Sequence, residues 1–105
     1  RIYFMNDIKL RNMLGLAQRA GRLLSGDFSV ERQLKRGAVP LLLIATDCAP
    51  NTAEKYNYLA MTQKVPVRQV LTKDELGECI GKARRAAVIV NDAGFAKAIL
   101  TAIDE

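Results

Sequence analysis

The chain has 105 residues, half of them hydrophobic, which suits one domain with a true core and excludes a disordered chain. With 16 basic and 11 acidic side chains the net charge is +5, a balance that favours an anionic partner. Histidine is absent, so Ser-His and Cys-His hydrolases and histidine-ligated metal enzymes are excluded, leaving carboxylates and lysine for any acid–base role.

Met5 reads as the native start, which makes residues 1–4 an appended or disordered leader. Asn6 is the expected cap of a first helix that runs to about Ala20, with Leu10, Met13, Leu14 and Ala17 on its apolar stripe and Gly21 at its end. Arg22-Leu23-Leu24-Ser25 then forms a short strand leading into a loop at Gly26. Asp27 is the expected N-cap of a short basic helix that stops at Gly37, where the chain needs a residue tolerant of positive φ. At 3.6 residues per turn, Phe28, Arg32 and Lys35 fall along one stripe of that helix, and Val30 and Leu34 point the opposite way, towards the core.

Residues 39–45 are a nearly continuous apolar run, the pattern of a strand covered on both faces. Thr46-Asp47-Cys48-Ala49-Pro50 follows as a loop at the carboxyl end of that strand, the edge where open α/β sheets usually bind ligands. Pro50 fits the first turn of a third helix over about residues 51–63, with Ala53, Tyr56, Leu59 and Ala60 inward. Residues 65–71 read as another strand. Thr72-Lys73-Asp74-Glu75 has the S/T-x-x-E form of a capping box, so a fourth helix starts there, with Leu76, Cys79 and Ile80 inward and Gly81 closing it. Lys82-Ala83-Arg84-Arg85 is a basic loop before a strand over residues 86–90, and Asn91 or Asp92 caps a last helix with Phe95, Ala98, Ile99 and Ala102 on one side. Helices alternating with four short strands predict an α/β fold, a three-layer α/β/α sandwich around a small mixed sheet.

Two basic groups stand out. Lys82, Arg84 and Arg85 crowd one loop that no carboxylate interrupts, and Arg32, Lys35 and Arg36 lie on the second helix. Such cations neutralise phosphates without regard to sequence. Phe28 adds an aromatic ring in a first turn with free backbone N–H groups, which suits a base on the ring and a phosphate at the helix start. The competing reading tucks Phe28 under a neighbouring loop and leaves the cations solvated. Neither a G-x-x-x-x-G-K-[ST] loop nor a G-x-G-x-x-G fingerprint occurs, which argues against a nucleoside triphosphate or dinucleotide site. Asp47 and Asp92 suit loop-ordering or capping better than catalysis, and Asp74 and Glu75 complement a helix dipole. Gly77 fits a close helix approach. Cys48 and Cys79 are far apart with no zinc spacing, so they read as small core residues in a reducing, cytoplasmic setting. No apolar run is long enough to span a bilayer, and no signal peptide is visible.

Taken together, residues 26–37, Leu42-Leu43-Ile44-Ala45-Thr46-Asp47-Cys48-Ala49-Pro50, Val65-Pro66-Val67, Thr72-Lys73-Asp74-Glu75-Leu76-Gly77 and the break at Gly81 occur in an order that resembles the ribosomal L-seven-Ae family of kink-turn RNA-binding proteins. Asp92-Ala93-Gly94-Phe95-Ala96-Lys97-Ala98-Ile99 is similar to the tail of its bacterial YlxQ-type branch. The resemblance implies a single domain over residues 5–105 that binds structured RNA, ribosomal or otherwise kinked, with no catalysis, cofactor or metal, and acts as a cytoplasmic monomer. It also implies that RNA meets residues 26–32 and 81–86, the two places that charge singled out. Gly26 matches the motif glycine and Arg32 its basic residue. Where kink-turn binders of the family carry Asn-Glu, this chain has Phe28-Ser29, and its last loop is cationic where theirs is largely apolar. The expected interface is therefore Gly26, Asp27, Phe28, Ser29, Arg32, Lys35, Lys82, Arg84 and Arg85, with contact shifted from base edges towards phosphates and stacking on Phe28. The rival function is a protein–protein adaptor of the transcription or translation machinery, with Phe28 as the anchor.

Overall fold

The computed structural model describes residues 5–104. Five helices and four strands alternate: α1 (Met5–Arg19), β1 (Leu23–Ser25), α2 (Asp27–Arg36), β2 (Leu41–Ile44), α3 (Pro50–Thr62), β3 (Val67–Gln69), α4 (Lys73–Cys79), β4 (Ala87–Val90) and α5 (Ala93–Asp104). Asn6 lies inside α1, so it is not the cap expected of it. Residues 1–4, read as a leader, fall outside the described residues.

The sheet has the order β1-β4-β2-β3 and is mixed. Only β2 and β3 run parallel, as a crossover through α3 requires, and β4 is antiparallel to both β1 and β2. Every residue of the two central strands is buried, which explains why Leu41–Ile44 and Ala87–Val90 are apolar without alternation. The alternate side chains feed two cores. Leu41, Leu43, Val88 and Val90 meet Leu10 and Leu14 of α1, Leu76 of α4 and Ile99 of α5. On the other face Leu42, Ile44, Ala87 and Ile89 meet Val30 and Leu34 of α2 and Tyr56 and Ala60 of α3. This is the three-layer sandwich that the alternation of elements implied.

Local chemistry accounts for most element ends. Gly37 closes α2 at φ 83°, and its N–H reaches the carbonyls of Gln33 and Leu34. Thr72 and Glu75 form both halves of a capping box: Thr72 N–H donates to Glu75 Oε1 at 2.8 Å, and Glu75 N–H donates to Thr72 Oγ1 at 3.2 Å. Asp92, rather than Asn91, caps α5 by accepting from the N–H of Phe95 at 2.8 Å. The buried face of α5 consists of Ala96, Ile99 and Ala102, while Phe95 and Ala98 are only half-buried.

The strand expected over residues 65–71 is shorter. β3 is an edge strand, and Leu71 turns the chain at φ 61° so that its own side chain enters the core. Flanking hydrogen bonds continue the pairing past its ends, from Leu42 N–H to the Pro66 carbonyl and from Val70 N–H to the Ile44 carbonyl.

Candidate nucleic-acid interface

Gly26 is the hinge between β1 and α2. At φ 96° and ψ 130° it occupies backbone space that a side chain disfavours, and its carbonyl accepts the first helical bond, from Val30 N–H at 2.9 Å. Gly26 is thus the N-cap, with no side-chain bond, and Asp27 is the first helical residue. The capping role expected of Asp27 is therefore wrong. Its carboxylate turns to the next helix instead, where Oδ1 accepts a 2.7 Å hydrogen bond from the Tyr56 hydroxyl. Tyr56 lies 29 residues further along the chain and is fully buried, so no local pattern signals this partner. Burial first, then the Asp27 hydrogen bond and charge, push the Tyr56 hydroxyl above its ordinary pKa, so it remains a donor.

The amphipathic reading of α2 matches the structure. Val30 and Leu34 are buried, and Phe28 stands 75% exposed at the first turn. The alternative that folds Phe28 under a loop does not occur. Arg32 and Lys35 are also exposed on that outer surface. Ser29, Arg32 and Arg36 line a shallow groove with Leu24 of β1. Lys35 is not isolated, because Glu31 approaches it at 3.7 Å and Lys55 of α3 at 3.8 Å, one carboxylate shared by two ammonium groups.

The basic loop meets the start of α2. Arg85 Nε donates to Ser25 Oγ at 3.3 Å, just before Gly26, and the Arg85 N–H donates to the Lys73 carbonyl at 3.1 Å. Gly26, Asp27, Lys73, Arg84, Arg85, Ala86 and Ala87 line one cleft, so two regions some sixty residues apart become one surface. Two features could not be read from the loop alone. Asp74 of α4 pairs with Arg84 at 2.8 Å, although both remain exposed to solvent. Lys73 joins the cleft, and its N–H is held by Asp47 Oδ1 at 2.8 Å, which gives Asp47 the loop-ordering role expected of it. Lys82 is exposed but does not line this cleft.

The packing beneath the loop depends on Gly77. This residue is buried in α4 against the backbone of Lys82 and Ala83, and its carbonyl accepts from Lys82 N–H at 2.8 Å. Cys48 and Cys79 are half-buried free thiols, and desolvation raises the pKa of both above the ordinary thiol value, against a thiolate nucleophile. Among the described residues no group of three or more Cys, Asp or Glu is placed to hold a metal ion, and no helix is long and apolar enough to cross a membrane.

The sequence model of the ribosomal protein L7Ae/L30e/S12e/Gadd45 family matches residues 8–100. The chain belongs to this family. Its sequence is 36% identical over 92 residues to the RNA-binding protein YlxQ of Bacillus subtilis, covering 88% of this chain and 92% of that one. It is 33% identical over 92 residues to the RNA-binding protein YlxQ of Enterococcus faecium, with 88% of each covered. Large ribosomal subunit protein eL8 of Thermoplasma volcanium is 30% identical over 102 residues, covering 92% of this chain and 84% of its own. A solved structure from Bacillus halodurans, described as a protein of unknown function, superposes with a TM-score of 0.87 at 35% identity over 92% of this chain and 98% of that one. The recognition drawn from the order of short motifs and the fold inferred from it both agree with these matches.

Proposed function

We propose that this L7Ae/L30e/S12e/Gadd45-family chain is a non-catalytic binder of structured RNA, acting as a single cytoplasmic domain. The RNA lies across the first turns of α2 and the loop between α4 and β4. Gly26, Asp27, Phe28, Ser29, Arg32 and Lys35 form one side, and Lys82, Arg84 and Arg85 the other. The observation that carries this reading is the exposed Phe28 ring on the residue that follows Asp27, which with Gly26, Arg84 and Arg85 lines one cleft. An aromatic face next to guanidinium groups suits a base and its phosphate together, and stacking needs no particular base. Two relatives carrying the name RNA-binding protein YlxQ support it further.

Phe28 and Ser29 lack the amide and the carboxylate that kink-turn binders present at the corresponding places, so affinity here comes from phosphate neutralisation and stacking. A titration against a kink-turn RNA, a duplex of equal length and a kink-turn with its G·A pairs replaced by Watson–Crick pairs, each at several salt concentrations, tests this. Binding that falls linearly with log salt is expected. Reversing Lys82, Arg84 and Arg85 to glutamate should abolish it, and unchanged affinity in that triple variant refutes the interface. Absence of binding to all three RNAs would instead favour the protein–protein adaptor.

A further inference from the structure

α1 and α5 pack together on the face of the sheet opposite α2 and α3, and a groove of about 530 Å³ runs between their outer surfaces. Its apolar lining is Met13 of α1 with Gly94, Ala98 and Ala102 of α5, and Lys9 and Lys97 stand on the two sides. At helical spacing Leu16, 45% exposed, extends the α1 stripe beyond Met13, and half-buried Phe95 extends the lining at the same end. The Thr101 hydroxyl, also in the groove, donates to the Lys97 carbonyl of its own helix at 3.0 Å. Both acids of α5 and its cap are engaged elsewhere: Asp92 accepts from Phe95 N–H and faces Arg22 at 3.9 Å, and Asp104 is held by Arg68 at 3.1 Å. Among the described residues no carboxylate pairs with Lys97, which keeps its charge uncompensated beside an apolar strip.

This combination selects among occupants. A second copy does not suit it, because a two-fold axis through the groove would set Lys9 and Lys97 of both chains against one another. RNA does not suit it either. Its affinity comes from neutralised phosphates and exposed rings, and here the cations flank aliphatic surface with one half-buried ring at its end. Aliphatic surface between cations is complementary to an apolar stripe bordered by carboxylates, the pattern of an acidic amphipathic helix. Such a helix docks through anchors at i, i+3, i+4 and i+7, a reach of about 10 Å, and the groove wall from Gly94 to Thr101 has that length.

We infer that the groove between α1 and α5 docks a short acidic amphipathic helix of a partner protein, with its apolar stripe on Met13 and Ala98 and its carboxylates at Lys9 and Lys97. The small side chains of α5 let the incoming helix approach closely, and Leu16 and Phe95 add apolar contact at one end. No residue of the RNA interface lines this groove, so one molecule can hold an RNA and a protein at once. The docking surface stands whether or not the opposite layer binds RNA.

The test is a display selection on the full wild-type chain from amphipathic helical peptides about four turns long, with a fixed leucine stripe and randomised flanking positions. The retained pool should be enriched in aspartate and glutamate at the flanks. Titrating the leading peptide into isotope-labelled protein should shift the amide resonances of Met13, Leu16, Lys97 and Ala98 and leave those of Phe28, Arg84 and Arg85 in place. Lys97→Glu changes an exposed side chain and preserves the fold. It should weaken the acidic peptide by roughly 3- to 30-fold and strengthen binding of the same peptide with lysine flanks. Retention of no peptide, a pool without acidic flanks, shifts confined to α2 and the loop before β4, or Lys97→Glu without effect on either peptide would each overturn the docking site. Two further results would reassign the groove and overturn it as well: a dimer in sedimentation equilibrium whose interface shifts fall on these residues, or the same shifts produced by RNA. Failure of the chain to bind any RNA would remove the RNA-binding reading and leave this result standing.

Discussion

Replacing Gly77 by alanine tests how α4 fixes the basic loop. A Cβ at this position would overlap the Ala83 carbonyl oxygen and lie 2.7 Å from the carbonyl carbon and 3.0 Å from the Lys82 carbonyl oxygen. These are backbone atoms, so no side-chain rotation relieves the clash, and the loop must move by roughly 1 Å, giving up some of the Lys82 N–H bond to the Gly77 carbonyl. Overpacking of this kind costs about 1–3 kcal/mol. Alanine returns up to about 1 kcal/mol through helix propensity. With that gain credited in full, the net loss is up to about 2 kcal/mol, which for a domain of this size lowers Tm by up to about 15 °C. Circular dichroism melts and urea titrations at neutral pH measure both. Gly15→Ala is the matched control, because its nearest atoms, Arg19 Nη1 and the Cys79 carbonyl oxygen, would stand at 3.9 Å, an ordinary contact. That variant should gain about 0.5–1 kcal/mol. A Gly77→Ala protein stabilised as much as Gly15→Ala would refute the close approach of α4 to the loop.

Thr72→Ala removes one half of the capping box and should cost about 1 kcal/mol in urea denaturation, since the N–H of Glu75 loses its acceptor. The raised pKa of Tyr56 makes stability depend on alkali: the folded chain favours the neutral phenol, so the contribution is complete below the unfolded value near 10 and is lost as pH rises beyond it. Tyr56→Phe should therefore narrow the drop in urea midpoint between pH 9 and pH 11, and an unchanged drop would contradict the burial of Tyr56 and its bond to Asp27. Phe28→Ala should leave the free energy of unfolding in urea within about 0.5 kcal/mol of the wild type, because the ring is exposed. The same substitution should weaken RNA binding by roughly 5- to 150-fold without altering its salt slope, as the loss of one stacked base would.

What could be read from the sequence is what neighbours in the chain decide. The Thr72–Glu75 box, the Val30/Leu34 stripe and the unbroken apolar runs of β2 and β4 each depend on residues within one or two turns, and each forms as read. Asp27 shows where this stops. Its composition and place suit an N-cap, but Gly26 with φ 96° takes that position, and a tyrosine on another helix takes the carboxylate. Arg84 is similar, because the sequence shows an uninterrupted cationic loop while the fold brings Asp74 beside it. The end of β3 is set by the left-handed turn at Leu71, a conformation that nothing in Val65-Pro66-Val67-Arg68-Gln69-Val70-Leu71 favours. The exposure of Phe28 was undecided between two readings because it depends on whether a distant loop covers it, and none does.

The pairing of β1 with β4 also bears on how the molecule is made. β1 reaches the sheet only through β4, in a register that sets Leu23 opposite Val90 and Ser25 opposite Val88. A growing polypeptide therefore cannot lock down the β1–α2 junction until its last strand has been synthesised, and closing that long loop is a slow, late event. Until then the start of α2 and the cationic cleft do not exist as one surface. Synthesis through Val90 thus precedes any chance of engaging a ligand there, and a product terminated before Ala87 lacks the strand that joins the two halves of the interface.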